Sequence, residues 1–109
     1  MRIGRAEAAD LFRVWALDSV LLRCDLGFAI FASSLRGRVR SFMDDTLHLV
    51  SDDTRSELSF RMTSAQVFEY ADPRTFPDEA EVIVRGLVVF TSERLDDTIT
   101  FLELKESEP

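Results

Sequence analysis

The sequence has very few of the residues on which common catalytic and cross-linked sites depend. Its 109 residues include one cysteine, Cys24, and one histidine, His48. A lone cysteine cannot form a disulfide within the chain, which is typical of a reducing compartment. The sequence also lacks the glycine-rich phosphate loops, paired cysteines and paired histidines of the common nucleotide and metal motifs. We therefore predict a protein that is not an enzyme and that carries no cofactor.

Long apolar runs are also absent. The longest are far shorter than the roughly 20 residues that a membrane-spanning helix needs. Arg2 and Arg5 are followed by a mixed segment and not by the apolar stretch of a signal peptide. With 46% apolar and 30% charged residues, the composition is that of one globular domain over residues 1–109. We expect a cytoplasmic protein that does not associate with membranes.

Positive charge is scarce overall and unevenly placed. The net charge is −7, and residues 41–109 hold sixteen acidic against six basic groups. Residues 1–40 hold seven arginines against four acids. The acidic part would on average repel a phosphate backbone. Net acidity therefore disfavours nucleic acid as a partner, although the arginine-rich part leaves that partner open.

One stretch near the N-terminus has the period of an amphipathic helix, over about residues 6–17. Its apolar residues recur at the spacing that places them on one helical stripe. They are Ala8, Leu11, Phe12, Trp15 and Ala16. Such a helix would lie across a sheet or plug one end of a barrel, with Trp15 as its main anchor.

From about residue 20 to residue 104, apolar and polar residues alternate in short segments, as in β-strands. The alternation is clearest in Glu57–Met62. Aspartate-rich turns are expected at Asp44–Thr46 and Asp52–Arg55 because aspartate side chains bond nearby backbone N–H groups. Cys24 falls on an apolar face, so we interpret it as a small core residue and not as a nucleophile.

This pattern predicts an all-β domain with one N-terminal α-helix. About six strands would form a small, strongly bent antiparallel barrel or sandwich. Gly37 lies where a bulge or a sharp bend is expected. Residues 71–81 are predicted to form an exposed loop, and residues 105–109 a polar tail.

The main basic feature is the group Arg36, Arg38 and Arg40. On a strand, all three side chains would point to one side and make a narrow positive stripe. Such a stripe would contact an anion or a nucleic acid, form a protein interface, or be a solvated face paired with acids of the next strand. We favour the solvated face, and the sequence leaves the other two open.

The densest group of ligand-type side chains is Asp44, Asp45, His48, Asp52 and Asp53. Carboxylates of this kind suit calcium or magnesium. However, the two aspartate pairs would lie at opposite ends of one strand, and a strand rises about 3.3 Å per residue. They are therefore too far apart to share one ion. We interpret them as solvated turns and predict no metal site.

The strand predicted at Val82–Phe90 is apolar on both faces. One helix cannot cover a whole sheet, so part of this apolar surface needs another cover. We therefore predict a homo-oligomer, formed by edge pairing or face packing, with Ile83, Leu87 and Val89 as interface candidates. Closure of a barrel is the competing explanation.

Two segments resemble the motifs of Sm-like proteins. The run GRVRSFMDDTLHLV (37–50) is similar to the first Sm motif, with His48 near the family's asparagine position, and VRGLVV (84–89) is similar to the start of the second. The resemblance implies a small bent barrel that assembles into rings through sheet edges. It also implies that a uracil-type base would sit between Asp44, His48 and Arg85.

Three functions follow from these observations. The first is a non-catalytic binding or assembly module that self-associates. The second is an Sm-like ring that binds single-stranded RNA, with contacts from the arginine stripe and from the residues implied by the resemblance. The third is an enzyme or metal protein that uses His48 and the acidic turns. We favour the first.

Overall fold

An antiparallel sheet of eight strands and one α-helix form the described part of the protein. The computed structural model describes residues 2–28, 31–53, 55–72, 82–91 and 97–106. In chain order the elements are β1 (Arg2–Ile3), α1 (Arg5–Leu17), β2 (Leu21–Phe28), β3 (Phe31–Met43), β4 (Thr46–Ser51), β5 (Glu57–Arg61), β6 (Val67–Ala71), β7 (Ile83–Phe90) and β8 (Thr98–Leu104). The predicted mostly-β fold with an N-terminal helix is confirmed.

The strands form a single open sheet. Their order is β1-β6-β7-β8-β2-β3-β4-β5, and every neighbouring pair is antiparallel. Within the described ranges, β1 and β5 end this order and do not pair with each other. The expectation of a closed barrel or a sandwich of about six strands is therefore wrong. Two residues, the length of β1, carry no periodicity that sequence reasoning could detect.

The two faces of the sheet have different surroundings. Successive side chains of a strand point to opposite faces. We call the face that carries α1 the inner face and the other the outer face. On the inner face, Leu22 and Cys24 of β2 lie opposite Glu103 and Phe101 of β8. Leu22, Cys24 and Phe101 belong to the same buried cluster as the helix.

Helix α1 lies across the inner face. The fully buried ring of Phe12 has its centroid 5.5, 5.8 and 5.4 Å from the ring centroids of Phe42, Phe60 and Phe101, respectively. These three rings belong to β3, β5 and β8, so one helical side chain ties together distant strands. Trp15 is also fully buried and shares the anchoring role with Phe12. No helix within the described ranges is long and apolar enough to span a membrane.

The turn between β3 and β4 is the predicted aspartate hairpin. Asp44 and Asp45 both have positive φ, 52° and 59°. Two central residues in the left-handed region match the twist of a tight two-residue hairpin. Aspartate tolerates this region better than most residues. The turn predicted at Asp44–Thr46 is therefore confirmed.

The predicted loop and tail are described only in part. Ala71 ends β6 and Asp72 follows it, while residues 73–81 lie outside the described residues. At the start of the tail, the backbone N–H of Lys105 donates to the carbonyl of Val82 at 2.8 Å. This bond holds the end of β8 against the start of β7. Residues 107–109 lie outside the described residues.

Gly37 does not form the bulge that the sequence predicts there. It lies in a regular ladder, opposite Leu22 of β2 and Ser51 of β4. A Cβ atom at this position would overlap the backbone carbonyl of Val50. Gly37 therefore allows β3 and β4 to approach closely, which is a role of glycine within strands. The bulge lies three residues later, between Val39 and Ser41.

We expect Gly37→Ala to lower the free energy of unfolding by about 1–3 kcal/mol, because the added methyl group must push two backbones apart. Chemical denaturation with urea measures this change. Gly27→Ala is the matched control, since a Cβ there meets the hydroxyl of Thr98 at 3.2 Å and the Thr98 carbonyl oxygen at an ordinary 3.9 Å. Equal losses for the two variants would contradict the close-approach role of Gly37.

Candidate functional site

Two arginines of the predicted stripe are paired with acids of the same chain. Arg36 Nε lies 3.5 Å from Asp52 Oδ2. Nη1 and Nη2 of Arg38 donate to Oε1 and Oε2 of Glu106, at 2.5 and 2.6 Å, and Nη1 also donates to the carbonyl of Ser19 at 3.0 Å. These contacts raise the pKa of Arg38 and lower that of Glu106, the hydrogen bonds between them being the largest cause. The two arginines therefore lie on a solvated face, where acids of the same chain neutralise their charges.

Arg40 differs from the other two arginines. It is the extra residue at the bulge between Val39 and Ser41, so it interrupts the alternation on which a stripe of three depends. Its side chain is exposed, and among the described residues it has no ion-pair partner. Of the stripe residues, Arg40 is therefore the one left to meet an external anion.

The structure does not bring Asp44, His48 and Arg85 together. Asp44 lies in the hairpin turn, and His48 lies on the outer face of β4, with Nε2 3.4 Å from Glu57 Oε2. Arg85 lies opposite Glu103 on the inner side of the sheet. The base pocket that the Sm-like resemblance implies is thus not assembled from these three side chains within one chain.

The two segments that resemble Sm motifs lie apart in the sheet. Residues 37–50 form the end of β3, the hairpin and most of β4, whereas residues 84–89 lie in β7. Strands β8 and β2 separate β7 from β3 in the sheet order. Comparison with known proteins adds no relative, since no family model, no curated protein and no solved structure matches the chain.

Glu103 is a site residue that sequence reasoning missed. Its Oε1 accepts hydrogen bonds from Trp15 Nε1 at 2.7 Å and from Arg85 Nε at 2.6 Å. The carboxylate is mostly buried, with 15% of its side chain exposed. The signal in the sequence is that this acid follows the buried Phe101 by two residues on β8, so that both side chains point to the same face of the sheet. This carboxylate fixes the helix to the sheet and neutralises Arg85.

Aspartates of both acidic turns have partners within the chain. Asp53 Oδ1 accepts hydrogen bonds from Ser51 Oγ at 2.5 Å and from the backbone N–H of Arg55 at 3.0 Å, and these bonds lower the pKa of Asp53. Asp45 pairs with Arg5 at 2.8 Å. Among the described residues, no group of three or more histidine, cysteine or acidic side chains is placed to hold a metal ion.

Cys24 lies fully buried in the core on the inner face. Burial, and to a smaller extent the charge of Asp25, raises the pKa of its thiol well above the usual value. The thiolate is the reactive form of cysteine. Cys24 is thus held in the unreactive thiol form, in agreement with its interpretation as a core residue.

The predicted interface residues do not share one exposed surface. Leu87 and Val89 are fully buried in the chain's own core. A bulge between Ile83 and Arg85 breaks the alternation of β7, so Ile83 lies opposite Leu104 and faces outward. Burial in the core removes Leu87 and Val89 from the surface of the chain, whereas a role for Ile83 in an interface stays a prediction.

A shallow groove of about 480 Å³ opens at the outer-face end of β2, β3 and β8. Its polar lining includes Asp25, Ser34, Thr98 and Thr100. Burial alone would raise the pKa of Asp25, but hydrogen bonds from Arg23 and Ser34 outweigh it and lower the pKa. The carboxylate is therefore charged and already satisfied within the chain.

The described sheet has two edge strands, β1 and β5, and β5 is the longer of them. On the β4 side, the carbonyl of Ser56 accepts from Ser51 at 2.9 Å and the N–H of Met62 donates to Asp45 at 2.8 Å. Backbone groups alternate along a strand. The N–H and C=O groups of the odd-numbered residues therefore point away from β4. These residues are Glu57, Ser59 and Arg61, and their side chains are exposed.

Five of these six backbone groups have no hydrogen-bond partner within the described ranges. The exception is the carbonyl of Arg61, which accepts from Gln66 Nε2 at 3.1 Å. An edge with unpaired donors and acceptors is a template for another strand. The sequence did not reveal this feature, because periodicity does not say which strand ends a sheet.

The ion pair between Arg38 and Glu106 generates a prediction of pH dependence. The pKa of Glu106 is lowered from its ordinary value of 4.5 in the folded protein. Its contribution to stability is therefore present above that value and is lost as the pH falls through the lower folded pKa. We expect Glu106→Gln to melt below the wild type near neutral pH and to converge with it in acid. Thermal unfolding followed by circular dichroism between acid and neutral pH measures the difference.

Arg38→Gln is the control for this pair. If the two side chains act together, the loss of stability in the double variant should be clearly smaller than the sum of the losses in the two single variants. A difference between Glu106→Gln and wild type that persists unchanged into strong acid would contradict the assignment.

Proposed function

We propose that this chain is a non-catalytic binding or assembly module that associates with copies of itself through the open edge of its sheet. The observation that carries the proposal is the edge of β5, where five of six backbone groups have no partner among the described residues. Natural sheets usually protect such edges with proline, lysine, bulges or a covering segment. Strand β5, Glu57–Arg61, is short and carries two charges, which are such protections, but it has no proline or lysine, and its pairing with β4 is free of register shifts.

The strength of such an edge contact is limited. A backbone hydrogen bond contributes about 0.5–1.5 kcal/mol net, and association costs at least several kcal/mol in lost freedom of motion. A five-residue strand offers few such bonds. We therefore expect weak association that depends on protein concentration, and not a permanent complex.

An Sm-like ring that binds single-stranded RNA is the second proposed function. It is favoured by the two different ends of the sheet, β1 and β5, because pairing of unlike edges generates rings. For the RNA contact, Arg36, Arg38 and Arg85 are occupied by acids of the chain. The exposed Arg40 is the stripe residue that supports an RNA contact.

We expect the weight-average mass of the wild-type protein to rise with concentration from the 12.4 kDa of one chain toward twice that mass. Light scattering after gel filtration, over roughly micromolar to millimolar protein, measures it. A mass several times that of the chain would favour the ring instead. A mass of one chain at every concentration would contradict both proposals.

RNA binding has its own test. If the second function holds, a fluorescent oligouridine should bind at low salt, bind less tightly as salt rises, and lose affinity in Arg40→Ala because a phosphate contact is removed. Fluorescence anisotropy measures the affinity. Arg55→Ala, which removes an exposed arginine from the acidic part of the chain, is the control. The absence of binding to wild type at low salt would exclude this function.

A further inference from the structure

We propose that two copies of the chain pair through their β5 strands, antiparallel to each other and in the register centred on Ser59. This inference rests on the proposed self-association and names its interface. The occupant of the free edge would be a second copy because the five residues of β5, ELSFR, are complementary to themselves when reversed.

The backbone permits this pairing. In antiparallel strands, residues directly opposite each other exchange hydrogen bonds only if their N–H and C=O groups face the partner. With Ser59 opposite Ser59 of the second copy, Glu57 lies opposite Arg61 of the second copy. All these residues have odd numbers, so the edge-facing groups of one copy meet those of the other. The Arg61 carbonyl, bound by Gln66, keeps a second lone pair for the new bond.

The charges select this register among the neighbouring ones. Centred on Ser59, Glu57 faces Arg61 of the second copy, and the twofold symmetry forms this pair twice. The Glu57 carboxylate also lies 3.4 Å from His48 Nε2 of its own chain, but its side chain is 67% exposed and can meet the arginine as well. A register centred on Leu58 would place Arg61 opposite Arg55 of the second copy, which is repulsive. A register centred on Phe60 would leave Glu57 opposite an uncharged threonine. Opposite charges directly across a strand pair are favourable, and like charges are unfavourable.

The apolar side chains fit the same register. Leu58 and Phe60 of β5 point to the inner face, opposite Leu49 and Leu47 of β4. In the proposed pair, Leu58 lies opposite Phe60 of the second copy. Leu58 is only half-buried, whereas Phe60 is 4% exposed and joins the aromatic cluster of the core. The contact would cover the exposed part of Leu58 and join the two cores across the edge.

The test is a reversal of the two charges, singly and together. Glu57→Arg places arginine opposite arginine twice in the dimer, and Arg61→Glu places glutamate opposite glutamate twice. We expect each single variant to weaken dimerisation by roughly tenfold or more. In the double variant Glu57→Arg with Arg61→Glu, opposite charges face each other again, and dimerisation should return to within about threefold of wild type. Sedimentation velocity measures the dissociation constant.

Two controls separate the edge contact from general effects of charge. The first control is charge reversal of Asp10 and Arg13, an exposed pair on α1 whose charged groups are 2.7 Å apart. These reversals, singly and together, should leave dimerisation unchanged. Ser59→Pro removes the central edge N–H, which has no partner within the described part of the monomer, and should abolish dimerisation. Circular dichroism melting curves verify that each variant is folded.

The outcomes distinguish the two proposals. A wild-type protein that stays monomeric overturns both the self-association and this interface. The wild-type protein could instead associate while the single reversals have no effect or the double reversal fails to restore dimerisation. Either result overturns the β5 register and leaves self-association standing. If Ser59→Pro is unfolded, the charge reversals decide alone, because they alter exposed side chains and leave the backbone bonds intact.

Discussion

Coverage of the inner face by a single helix is the constraint on which the rest of the structure depends. Eight strands have one helix of 13 residues to pack against in the described part of the chain. Phe12 meets rings from β3, β5 and β8, so strands from the end and the middle of the sheet must converge on one side chain. A sheet held in this way does not need its ends to meet.

Charged side chains find partners once the strands have been arranged around α1. Arg38 binds Glu106, Arg36 pairs with Asp52, and Glu103 binds both Trp15 and Arg85. Most of the exposed pairs contribute little to stability in water, but they neutralise the arginines that an anion would otherwise use. Among the described residues, five backbone donors and acceptors at the edge of β5 have no partner in the chain. This contrast is the reason that we favour assembly over anion binding.

Sequence reasoning succeeded where the determining contacts are local. The helix begins at Arg5, within one residue of the predicted start, because its apolar stripe repeats over three turns. The hairpin at Asp44 and Asp45 depends on two residues that tolerate positive φ. Reasoning failed where distant strands decide the outcome. Gly37 is needed for the close approach of β4 to β3. The bulge lies at Arg40 and breaks the alternation that would have placed the three arginines on one side of the strand. A glycine within a strand indicates a special position, but the sequence does not say whether that position is a bulge or a close approach of the next strand.

The sequence by itself determined the mostly-β class, the single N-terminal helix, the aspartate turn and the place of Cys24 in the core. Periodicity and turn chemistry act over a few residues and therefore leave a readable pattern. Only the tertiary structure decided that the sheet is open, that β5 lies at its edge, and that Arg38 meets an acid 68 residues away. Those outcomes depend on which strands pair, and strand pairing is set by the packing of the whole core against α1 and not by any one segment.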